Sequence, residues 1–97
     1  MVKHIVFLKF REDSNLNKEQ IKNTILSLKN DIEVIREIEA GINFSLEQRA
    51  YDIALSVAFN SKKDLNTYAT HPIHLKLIEE LKSDGVISKV VDYEFFK

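Results

Sequence analysis

The chain of 97 residues contains no cysteine, one proline and two glycines, and carries a formal charge of −1 at pH 7. Without cysteine there is no disulfide, no thiolate nucleophile and no Cys-ligated zinc or iron–sulfur centre. Fourteen basic and fifteen acidic side chains leave no net positive field to attract nucleic acid or anionic lipid. No apolar run approaches the ~20 residues of a membrane span. The first ten residues alternate, with Lys3 and Lys9 inside the apolar stretch, unlike a signal peptide. What is present, 44% hydrophobic and 30% charged residues, is the make-up of an ordinary globular domain with one modest core. The expectation is a single cytoplasmic domain over residues 1–97, with no nucleic-acid or membrane partner.

Periodicity divides the chain into elements. Val2 to Phe10 reads as a strand, with Val2, His4, Val6, Leu8 and Phe10 on one face and Lys3, Ile5, Phe7 and Lys9 on the other. Asn17 suits a helix N-cap, with Gln20 three residues on, and Ile21, Ile25, Leu28 and Ile32 form a helical stripe. Val34 to Asn43 reads as a second strand, bulged near Gly41. Tyr51 to Phe59 is the clearest strand, its large side chains on one face and Ala54, Ser56 and Ala58 on the other. Ser61 starts a short helix ending near Thr70, Pro72 opens another that stops at Gly85, and Val86 to Phe96 is a last strand. The order β-α-β-β-α-α-β predicts an α+β, ferredoxin-like fold: a four-stranded antiparallel sheet with helices on one face. Ile5, Phe7, Ala54, Ala58, Val91, Tyr93 and Phe95 are then left uncovered on the other face. A second copy stacked across a two-fold axis would bury them, so a homodimer through the sheet face is expected.

Residues Asp64 to Leu75 hold two of the three histidines, the only proline and a tyrosine. Pro72 ends one helix and begins the next, gathering Tyr68, His71 and His74 at the junction. Such a cluster suits general acid–base chemistry; it suits equally the capping of two helix ends. His74 shares a helix side with Ile78 and Leu81, and Asp92 on the last strand is placed to accept its Nδ1–H. His4 stands alone on an apolar strand face, as a satisfied core histidine or a functional one. His71 reads as structural, near a helix C-terminus where positive charge is favoured. His71-x-x-His74 has chelating spacing but no third ligand nearby, so no metal and no cofactor are expected.

Taken together, Lys3-His4-Ile5-Val6 through Lys9-Phe10, Gly41-x-Asn43-x-Ser45, Tyr51-Asp52-Ile53-Ala54-Leu55 through Phe59, Leu65-x-x-Tyr68-x-x-His71-Pro72-x-His74 and Asp92-Tyr93 resemble the stress-responsive dimeric α/β-barrel (Dabb) family, over essentially the whole chain. The resemblance implies a ferredoxin-like monomer that dimerises sheet to sheet into a barrel. It is to the small bacterial type, whose members mostly have no assigned role. A more distant branch, the olivetolic acid cyclase type, performs an aldol cyclisation, and there the matching Tyr68 and His74 positions are catalytic. In that branch His4 and Asp92 match pocket residues, while a third-strand histidine is replaced here by Ile53 at the ligand pocket. The functions implied are binding of a small apolar or carbonyl-containing molecule, or a cyclase-like lyase using Tyr68 and His74. Related dimeric barrels also degrade haem, for which His74 or His4 would be the ligand. A non-enzymatic homodimer completes the set.

Overall fold

Strand alternation and helix caps set the architecture of the computed structural model, which describes residues 1–96. The elements are β1 (Val2–Lys9), α1 (Lys18–Asp31), β2 (Glu37–Ile42), β3 (Ile53–Phe59), α2 (Lys62–Ala69), α3 (Pro72–Ser83) and β4 (Ile87–Glu94). The four strands form one antiparallel sheet in the order β2-β3-β1-β4, with the helices on one side. This is the ferredoxin-like arrangement that the periodicity predicts.

Each helix starts and stops on a side chain suited to the task. Asn17 accepts from the Gln20 amide at 3.1 Å, and Ser61 accepts from the Asp64 amide at 3.1 Å, satisfying orphan donors of α1 and α2. At the end of α3 the chain turns through Gly85, whose φ of +79° only glycine adopts without strain. There the Gly85 amide donates to Lys82 O at 3.0 Å and the Val86 amide to Leu81 O at 3.1 Å, a Schellman closure.

Two sequence expectations fail at β2. The strand begins at Glu37 rather than Val34, because Ile35 turns back to bond Ile32 O at 3.2 Å and buries its side chain in the core. Nor is there a bulge at Gly41, which pairs with Ala54 in unbroken register.

The inner sheet face supplies Leu8, Ile53, Leu55, Val57 and Phe59 to a core closed by Ile21, Ile25 and Leu28 of α1 with Tyr68, Leu77 and Leu81. Cover is uneven. α1 lies over β2 and β3, while every residue of the edge strand β4 is exposed, including Ser88 and Val90 on the helix side. On the opposite side of the sheet Phe7, Val91 and Tyr93 remain 42%, 57% and 46% exposed, an apolar face of the kind that interfaces cover. Among the described residues, no helix is long and apolar enough to cross a membrane.

Candidate functional site

Because the helices stop short of β4, a cavity of about 330 Å³ lies between β1 and β4 on one side and α2 and α3 on the other. Its wall is mostly apolar, including Val6, Leu8, Leu55 and Val90; His4, Tyr68, His74, Lys82 and Ser88 bring polar groups. A mostly apolar cleft with a few convergent polar groups is the usual form of a small-molecule site.

Strand parity turns His4 inward, and the antiparallel register sets Asp92 directly opposite on β4. Nδ1 of His4 lies 2.5 Å from Oδ1 of Asp92. A carboxylate only accepts, so Nδ1 carries a proton, and in the neutral ring Nε2 is left as the acceptor. Asp92 therefore serves His4, not His74 as the sequence suggests, because it stands one strand away from His4. Its side chain is 44% exposed against 15% for His4, so the pair runs from the rim inward.

His74 sits in the first turn of α3, just after the break at Pro72. Its Nδ1 donates to the carbonyl oxygen of Ala69 at 3.1 Å, one of the orphan acceptors at the end of α2. That bond fixes the tautomer and again leaves Nε2 as a base. Burial pushes the imidazole below its ordinary pKa; the Ala69 carbonyl acts in the opposite sense, and the nearby His4 and His71 lower it further. At neutral pH His74 is an uncharged base.

Tyr68, on the last turn of α2, is 2% exposed. Its ring packs against Phe59, His74 and His4, with centroids 5.1, 4.2 and 5.7 Å away. The hydroxyl bonds to no other described residue, yet no described side-chain oxygen is both buried and unpartnered. The oxygen therefore opens onto the cavity. Burial raises the phenol to about 12, so it stays a neutral donor across the physiological range.

The remaining candidates fall elsewhere. His71 is the N-cap of α3, its Nδ1 accepting from the Ile73 amide at 3.2 Å. His71 therefore serves the start of α3 rather than the end of α2. Ile53 is not in the cavity wall: it is 1% exposed in the core, on β3 under the cover of α1. Lys82 and Ser88 also line the cavity, and the only signals for them in the residues are that Lys82 follows Ile78 by one helical turn and Ser88 shares strand parity with Asp92. Among the described residues, no three His, Asp or Glu side chains are grouped to hold a metal.

A sheet half covered by helices, with a His–Tyr–His cavity beside the free edge, defines a ferredoxin-like domain of the barrel-forming class. The sequence matches the model of the Stress responsive A/B Barrel Domain over residues 2–95, and the chain belongs to that family. A dimeric ferredoxin-like protein of unknown function from Bacteroides fragilis is 36% identical, with 97% of this chain and 95% of that one covered and a TM-score of 0.83. The Arabidopsis thaliana protein At3g17210 is 25% identical, covering 100% and 97%, with a TM-score of 0.79. A hydroxynitrile lyase from Passiflora edulis, 20% identical over 99% and 96% with a TM-score of 0.72, shares the fold. Among curated proteins none matches the chain.

Proposed function

We propose that the protein is a cytoplasmic homodimer, joined through the outer sheet face, whose cavities bind a small, mostly apolar molecule bearing a carbonyl group. Within each cavity His74 is the base and Tyr68 the hydrogen-bond donor. The observation that carries this reading is the convergence of three groups in one apolar cleft with both histidine Nδ1 atoms already engaged. Each ring thereby keeps Nε2 for a ligand, and the phenol has no competing partner among the described residues.

The chemistry follows from those roles. Nε2 of His74 takes a proton from the carbon next to the carbonyl, and the C–H electron pair moves into the C–C bond as the carbonyl oxygen gains charge. The Tyr68 hydroxyl donates to that oxygen, stabilising the enolate in a site of low dielectric. The enolate carbon then recovers the proton from His74, or attacks a second carbonyl of the same molecule to form a carbon–carbon bond. In the second case the protonated His74 neutralises the new alkoxide. His4, oriented by Asp92, offers a second acceptor at the rim. A cavity of about 330 Å³ is near the lower end of the ~300–1,000 Å³ range of ligand sites, which favours a small ligand over a macrocycle such as haem. It is about twice the ~150 Å³ cavity known to hold benzene, so an aromatic ring with a short side chain fits. The test is α-proton exchange of small aryl ketones in D₂O by the wild type and by His74→Ala.

A further inference from the structure

The loop between β2 and β3 presents two large side chains to water, Phe44 at 97% and Leu46 at 102% exposure. Its fold is not loose. Asn43 brackets the turn, its Nδ2 donating to Ser45 O at 2.8 Å and its Oδ1 accepting from the Ser45 amide at 3.1 Å, while Ser45 Oγ accepts from the Glu47 amide at 3.0 Å. These bonds hold the polar residues to one another and leave the two apolar ones directed outward, with no surface of the same chain beneath them.

The sheet topology says where a second copy would meet them. β2 and β4 are the two free edges. Two four-stranded sheets close into one barrel either with a two-fold axis across the strands, which sets β4 beside β4 and β2 beside β2, or with one along the strands, which sets β4 of one subunit beside β2 of the other. β2 then runs antiparallel to that β4, and the β2–β3 loop falls at the end where β4 begins. Ile42 pairs with Ile53, Ile53 with Leu8, and Leu8 with Ser88, so the loop and Ser88 share one end of the sheet. Ser88, Val90 and Lys82 stand at the open side of the cavity. We propose that the axis runs along the strands and that Phe44 and Leu46 of one subunit lie over the β4-side mouth of the other's cavity, so that each pocket gains its last wall from the second copy. The inference rests on the homodimer proposed above and not on the chemistry assigned to the cavity. It explains two otherwise costly exposures, and it makes the site a property of the dimer.

Because the chain has no cysteine and no tryptophan, both reporters can be introduced singly. Within one chain β2 and β4 are three strand spacings apart, about 14 Å, too far for a disulfide. Phe44→Cys/Ser88→Cys and Leu46→Cys/Ser88→Cys are oxidised and run on a denaturing, non-reducing gel. At least one double variant should become a covalent dimer, while Phe44→Cys, Leu46→Cys and Ser88→Cys alone stay monomeric on the gel. As a second readout, the sole tryptophan of Phe44→Trp should emit to the blue of free tryptophan and resist acrylamide quenching. Both properties should vanish in Phe7→Asp/Phe44→Trp. A dimer by sedimentation that neither cross-links nor shields the introduced tryptophan overturns this inference and leaves the sheet-face dimer standing. A monomeric wild type overturns both.

Discussion

The rings of Tyr68 and His74 lie 4.2 Å apart, centroid to centroid, although they belong to different helices. Pro72 makes the contact. It cannot continue α2, so the chain breaks at Thr70 and His71 and restarts in α3 with His74 folded back over the last turn of α2. The same break exposes the Ala69 carbonyl that fixes the His74 tautomer.

Tyr68→Phe separates the ring from the hydroxyl. The ring is core, but the hydroxyl has no partner among the described residues. Urea unfolding should show a stability change within about 0.5 kcal/mol, while ketone enolisation should fall by roughly 10²-fold or more, the scale of losing an oxyanion donor. A loss of 2 kcal/mol or more, on the scale ~1–3 kcal/mol of an orphaned buried partner, would mean that the hydroxyl is structural.

Burial lowers the His74 pKa, so its ring proton should titrate by NMR below the ordinary histidine value of about 6.5. The sign for stability follows. Above the unfolded value both states are neutral and His74 contributes no pH dependence. As pH falls from there toward the lower folded value, the unfolded chain takes up a proton that the native chain refuses, and stability falls. In His74→Gln the slope of stability against pH in that window should be shallower. An unchanged slope would rule out His74 as its source.

Much of this was legible in the residues. Strand parity placed His4 and Asp92 on the helix side and Phe7 and Tyr93 on the other, and Pro72 located the junction of α2 and α3. Partnership was harder to read. Parity gives the face but not the register, so only the structure shows that Asp92 stands across from His4. Ile53 shares the parity of Leu55, yet whether an inward residue meets core or cavity depends on which strands α1 covers, and no single segment encodes that. At β2 the apolar pair Val34 and Ile35 looks like strand, but the core claims Ile35 through a turn.

Gly85→Ala forces an L side chain into a φ of +79° and sets its Cβ 2.8 Å from Arg11 Cδ. Arg11 is a long, exposed side chain and can move away, so the backbone conformation dominates the cost. The expected loss is about 1–2 kcal/mol by equilibrium urea unfolding, with the cavity chemistry retained. A neutral result would show that the Schellman turn relaxes.

Phe7→Asp puts a charge in the middle of the outer sheet face, beside Ala54 of β3. If that face joins two copies, burying an unpaired carboxylate there is prohibitive, and sedimentation should show dimer for the wild type and monomer or aggregate for the variant. A variant that remains dimeric at micromolar concentration would place the interface elsewhere.

The most direct test of the acid–base site is α-proton exchange of a small aryl ketone such as 4-phenyl-2-butanone, followed by proton NMR in D₂O. Wild type should exchange the protons next to the carbonyl faster than buffer alone. His74→Ala should lose roughly 10²–10⁴-fold of that acceleration while remaining folded and dimeric. Exchange by the wild type no faster than buffer, or equal rates for wild type and His74→Ala, would contradict the account.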